Sequence, residues 1–266
     1  MPLINENFQT DIKGLQLWHA PMSSCSQRVR MVLNYHDIKY TSNIVKLNKG
    51  EHASKKFLEI NPEGLVPVLS DKNKIINESN DIIQYVDKKF GNSILSKNID
   101  KKKIVSFLRE IDDTQKSLKL CTFHFLFKSQ ERMPDQEYKF FKSNHKNKDL
   151  VDFYSNFENG FQKNKIVSAI NINKKFFDNV EKIMIKDSSS VYPNGFSLAD
   201  ISLIPNVHRF NLMDWPFEKW PKIFSWYNNI NKSNWFKKGV LDWEPPELIS
   251  NFKNYIKNST KISSFL

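Results

Sequence analysis

Glycine is scarce in this 266-residue chain, with seven in all and none grouped into a loop that could cradle phosphates. The two cysteines, Cys25 and Cys121, are too few for a disulfide-built scaffold and fit a reducing compartment. The six histidines (His19, His36, His52, His124, His145, His208) lack the His/Cys spacing of a zinc site, so no metal is expected. No Gly-x-Ser-x-Gly turn marks a serine hydrolase. No stretch approaches the roughly 18 consecutive apolar residues of a membrane span. Met1 to Thr10 is polar and mildly acidic, without the charged-then-apolar order of a signal segment. A cytoplasmic protein without membrane association is the expectation.

What is present is ample apolar material: 39% hydrophobic and 13% aromatic, enough for one large core or two modest ones. Five of the six Trp fall after residue 210, which hints at different tasks for the two halves. The formal charge is +11, yet the lysines are scattered in short runs, as at Lys101 to Lys103 and Lys237-Lys238. No nucleic-acid motif accompanies them, so they read as solvated surface and no nucleic-acid partner is expected. A positive field would still attract small anions.

Leu15 to His19 alternates like a short strand ended by Pro21, and Ser23 to Ser26 opens a helical stripe through Tyr35. Tyr40 to Leu47 reads as a second strand and His52 to Ile60 as a short helix stopped by Asn61-Pro62. Val66-Pro-Val-Leu and Lys74-Ile-Ile-Asn form a hairpin about Asp71-Lys-Asn. Ser79 then caps a helix to Phe90, with Ile82, Ile83, Tyr85 and Val86 inward. The order βαβ followed by ββα predicts an α/β thioredoxin-like domain over 15–91, after an extension at 1–14.

Gly91 to Lys97 reads as a linker to an all-α domain over 98–266. Ile104, Phe107, Leu108 and Ile111 begin a helix stripe that runs on through Leu118, Cys121 and Phe125. Residues 129 to 165 predict helix interrupted by an extended excursion. Ile170 to Ile185 and Pro221 to Val240 are further helices. Phe196-Ser197-Leu-Ala-Asp200-Ile201 carries a capping box, with Phe196 and Ile201 placed for a hydrophobic staple.

Three segments and a histidine beside two lysines could carry chemistry. Ser23-Ser24-Cys25 precedes a helix start, where free N–H groups and the dipole favour an anion such as a thiolate. A hydroxyl there could donate to a bound sulfur, or Cys25 could itself be the nucleophile; ordinary N-cap serines and a small buried Cys explain the residues equally. Val66-Pro67 opens a strand and suits a cis bond that turns backbone groups outward to pair with a peptide; a trans edge proline is the plain alternative. Glu78-Ser79 could meet the ammonium and carboxylate of an amino-acid head, or simply cap the helix. His52, with Lys55 and Lys56, could hold a second carboxylate.

The order and spacing of these segments resemble the cytosolic glutathione transferase superfamily across the first domain, through SSCSQRVR, GEHxxxxFLxINPEGLVPVL and NESxxIIQYV. FSLADISLIP and PKIFSWYNNINKSNWFKKGV extend the resemblance to about residue 240. It implies an enzyme with glutathione as co-substrate, lying along Val66, Pro67, Glu78 and Ser79 with His52 near its glycine carboxylate. The thiol would be activated at Ser23, Ser24 and Cys25 for attack on a small hydrophobic electrophile. A homodimer is implied as well. The Ser-Ser-Cys motif is similar to the zeta class of isomerases. It is also similar to reductive dehalogenases and β-etherases, in which Cys25 would lead the chemistry. A non-catalytic binding module of the same fold is the remaining alternative.

Overall fold

A computed structural model describes residues 14–266 apart from Asn73, Glu131 and Asp187. The extension at 1–14 therefore lies outside the described residues except for Gly14, as does Asn73 of the hairpin turn.

The first ninety residues fold as β1 (Leu15–His19), α1 (Ser24–Tyr35), β2 (Thr41–Ile44), α2 (Lys55–Ile60), β3 (Val68–Asp71), β4 (Lys74–Ile76) and α3 (Ser79–Phe90). The alternation in β1 buries Leu15, Leu17 and His19, whereas every residue of β3 is buried because it lies inside the sheet. The sheet order is β2-β1-β3-β4, with β1 and β2 parallel and the other pairs antiparallel. This is the thioredoxin-like pattern expected.

Register decides where the loops go. His19 pairs with Ile44, Trp18 with Val68 and Leu69 with Ile76. The ends of β1, β2 and β4 and the start of β3 thus share one edge of the sheet. Four connecting segments meet there: the chain after His19, the turns after Ile44, the Asn61–Pro67 approach, and Asn77–Glu78. All three predicted site segments are among them.

The remainder is helical: α4 (Lys101–Phe125), α5 (Asp135–Asn144), α6 (Lys148–Asn159), α7 (Lys163–Ile183), α8 (Leu198–Leu212), α9 (Pro221–Ile230), α10 (Asn234–Gly239) and α11 (Pro246–Asn258). The stripe Ile104, Phe107, Leu108, Ile111, Leu118, Cys121 and Phe125 is buried along α4. Helix α8 is the central post, with every residue from Leu198 to Phe210 buried. Its start carries the expected capping box of Ser197 and Asp200, and Phe196 stacks on Tyr35 at 5.5 Å between ring centroids.

Four local expectations are corrected. The late helix divides, because Asn231 ends α9 and Ser233 starts α10 by accepting from the Phe236 N–H. β2 is only Thr41–Ile44, and of the predicted remainder Leu47 starts a 3-10 turn instead. The stretch from His52 to Ile60 splits into a 3-10 turn, Glu51–Ala53, and α2, with Ser54 capping the latter. Tyr85 is half-buried, since its hydroxyl reaches Asp71 at 2.7 Å.

Candidate functional site

At the sulfur end, Ser23 is the N-cap of α1 and its oxygen accepts from the Ser26 N–H at 3.2 Å. The hydroxyl proton of Ser23 is left to donate elsewhere. Ser24, the first helical residue, makes no side-chain hydrogen bond among the described residues and is half-buried. Cys25 donates its thiol proton to Gln115 Oε1 at 3.7 Å, and Gln115 in turn donates to Asn206 Oδ1 at 3.1 Å. The helical region therefore reaches over and holds the cysteine's proton.

Below this lies Arg28, fully buried on α1. Its guanidinium donates to Ser79 Oγ at 3.1 Å, Asp112 Oδ1 at 3.2 Å, Asn206 Oδ1 at 3.3 Å and the Ser202 carbonyl at 3.1 Å. Asp112 also accepts from Asn80 at 2.8 Å, and Asn80 accepts from Ser202 Oγ at 2.7 Å. Such a fork satisfies a buried charge with several planar acceptors at once.

Ser79 differs from expectation in one respect. It is the first residue of α3, and Glu78 is the N-cap, without a side-chain capping bond. The oxygen of Ser79 is engaged by Arg28, so its proton can only be donated outward. Glu78 has no cationic partner among the described residues. Burial, then Asp112, Asp81 and Glu63, push its carboxyl above the ordinary range. A ligand ammonium would relieve that.

The Val66–Pro67 bond is cis. Val66 is half-buried just before β3, and its N–H and C=O have no backbone partner among the described residues. His52 is buried under the helical region. It is 2% exposed and packs against the rings of Phe141 and His145, with centroids at 5.0 and 5.3 Å. Burial, with help from His145 and Lys119, lowers its pKa to about 3, which leaves a neutral ring rather than a cation for a carboxylate. Lys55 and Lys56 are exposed on α2.

The glutathione S-transferase N-terminal domain family matches residues 17–93, the span that contains all these segments. The chain is similar to glutathione S-transferase Z2 of Arabidopsis thaliana, with 26% identity covering 92% of this chain and 97% of the relative. It is 42% identical to a zeta-class glutathione S-transferase of Euphorbia esula over 34% of this chain and 40% of that one. Residues 17–93 thus match the glutathione S-transferase N-terminal domain, and over nearly its whole length the chain is similar to a glutathione S-transferase. Its fold is shared with the β-etherase LigF of Sphingobium sp. strain SYK-6, at a TM-score of 0.72 and 20% identity, covering 85% of this chain and 98% of that one.

The superfamily motifs in the sequence single out Ser23, Ser24, Cys25, Val66, Pro67, Glu78 and Ser79 as candidates, and the fold brings their loops to one edge. They did not point to Gln115, Asp112, Asn206 or Lys119. Those residues lie on α4 and α8: Gln115 is 90 positions from Cys25, and Asp112 and Asn206 are 84 and 178 from Arg28. One signal was available for Arg28: charged residues at 28 and 30 sit among the apolar Val29, Met31, Val32 and Leu33, and a buried Arg requires a prepared set of acceptors. Among the described residues no group of three or more His, Cys, Asp and Glu side chains is placed to hold a metal ion, and no helix is long and apolar enough to cross a membrane.

Proposed function

We propose that the protein binds glutathione along this edge and activates its thiol for attack on an electrophile held against the helical region. The observation that carries the reading is the pairing of Glu78 and Ser79. One is a carboxylate without a cation, the other a hydroxyl whose oxygen is already occupied by Arg28. Together they complement an ammonium and a carboxylate on one carbon, the γ-glutamyl head. The free N–H and C=O of Val66 suit the cysteinyl backbone. That places the sulfur near the start of α1, where the Ser23 and Ser24 hydroxyls can donate to it and the helix dipole favours the thiolate. A homodimer belongs to the same proposal.

The test is calorimetry with glutathione. Ser79→Ala is expected to lose a charge-assisted hydrogen bond worth about 1.5–3 kcal/mol, hence about tenfold or more in affinity. Unchanged affinity would remove Ser79 from the site.

The chemistry we favour leaves the attack to glutathione's own sulfur, because the Cys25 proton is directed at Gln115. Cys25→Ser keeps a donor there and is expected to retain turnover within about fivefold. Loss of turnover, with a glutathione adduct trapped on wild-type Cys25 by mass spectrometry, would instead make Cys25 the nucleophile.

A further inference from the structure

Lys119 lies one helical turn after Gln115, the residue that touches Cys25, and so shares the face of α4 that looks toward the sulfur. Its ammonium sits over the Phe153 ring at 4.2 Å, with Tyr154 at 5.6 Å and Phe123 at 5.9 Å. These rings come from α4 and α6 and pack edge to face, with Phe123 and Phe153 at 4.9 Å and Phe123 and Tyr154 at 5.6 Å. Among the described residues no carboxylate lies within 4.0 Å of Lys119, and it makes no hydrogen bond. The adjacent Lys116 differs, since it pairs with Asp149 at the surface.

The titratable groups around the ammonium do not supply the missing charge. His52 and His145 are neutral rings whose pKa values burial lowers. Burial raises the Tyr154 phenol to about 12, so it stays protonated. Cys25 is the remaining neighbour, and its proton is held by Gln115. Burial accordingly brings Lys119 down to about 7. Ring faces attract an ammonium, but they do not replace a counter-ion.

We propose that Lys119 is an anion-binding residue of the site, receiving a carboxylate against Phe123, Phe153 and Tyr154 beside the sulfur. The proposal rests on the glutathione reading above and adds a charge requirement to a site that the resemblance gives only a small hydrophobic electrophile. Two sources can supply the carboxylate: the glycine end of glutathione, or a planar second substrate that bears one.

Lys119→Met keeps the stem and removes the charge; Lys119→Arg keeps the charge. Calorimetry on both variants and the wild type would compare glutathione with its glycyl monoethyl ester. A second arm would compare 3,5-dinitrobenzoate with 3,5-dinitrobenzamide, with and without saturating S-methylglutathione. Lys119→Met is expected to lose at least fivefold affinity for the acid in one arm while binding the uncharged partner as before, and Lys119→Arg to restore the preference. The arm that moves identifies the source. Equal binding of both acids by Lys119→Met and wild type would overturn the proposal, and so would a loss shared equally by acid and uncharged partner. A wild type that binds no form of glutathione would sink the glutathione reading instead, and the dinitrobenzoate comparison without the tripeptide would then decide Lys119 by itself.

Discussion

Asp200→Ala is expected to lower stability by about 4 kcal/mol or more, the largest effect of any single substitution considered. The carboxylate is fully buried beneath the start of α8. One oxygen accepts from the Val191 N–H at 2.7 Å and the Trp226 indole N–H at 2.9 Å. The other accepts from the N–H and hydroxyl of Ser197 at 2.8 and 2.9 Å. Truncation strands three buried N–H donors at about 1–3 kcal/mol each. Relief of the buried charge, whose carboxyl burial pushes up to about 6, offsets part of that loss. Because α8 is the post on which α1, α4 and α9 lean, the damage is global rather than a frayed end. Urea unfolding is the measurement. A midpoint that moves by less than the equivalent of 1 kcal/mol would show that the cap is dispensable.

Gly64→Ala comes next, at about 3 kcal/mol, with a local signature. Gly64 has φ of +62°, a conformation that costs a residue with a Cβ about 1–2 kcal/mol. An added Cβ would also stand 2.1 Å from His145 Nε2 and 2.9 Å from the His52 carbonyl oxygen. The backbone cannot yield, so the imidazole must. The Asn147 N–H donates to His145 Nδ1 at 3.1 Å, which makes Nε2 the protonated nitrogen and the donor to the Gly64 carbonyl at 3.2 Å. Displacing the ring forfeits both bonds and loosens α5 and α6 from the loop that leads into Val66. Limited proteolysis should then cut between residues 129 and 162 well before wild type. His145→Ala combined with Gly64→Ala should cost less than the sum of the two, because the clash is then already gone. A wild-type cleavage pattern in Gly64→Ala would refute the docking described.

The first ninety residues were legible because their signals are short-range. Alternation in Leu15–His19, the Pro67 strand entry and the Ser-capped helix starts each depend on a few neighbours, and the loops meet once the sheet order is known. The capping box at Ser197 and Asp200 was legible for the same reason. Pro221–Val240 was misread as one helix because Phe224, Trp226, Tyr227, Ile230, Trp235 and Phe236 keep an apolar texture across the break. The cap that divides it, Ser233, is a single residue. The burial of His52 was not legible, because its type suggests an exposed cation. Its burial depends on Phe141, His145 and Tyr154, which arrive from helices α5 and α6 more than eighty positions later. The partner of Cys25, Gln115, was hidden by a similar separation of 90 positions, and that of Ser79, Arg28, by 51.

The acceptors around Arg28 bear on how such proteins can be recombined. Three of its four partners, Asp112, Ser202 and Asn206, belong to the helical region, while the fourth is Ser79 of the proposed ligand pocket. The fold of residues 15–91 is consequently not a portable module. Cut free or grafted onto a foreign helical partner, it would carry an arginine with its fork opened to nothing, and the serine above it would lose its orientation. An exchange of helical halves between relatives preserves the pocket only where a carboxylate at 112, an amide at 206 and the turn of helix exposing the 202 carbonyl travel together.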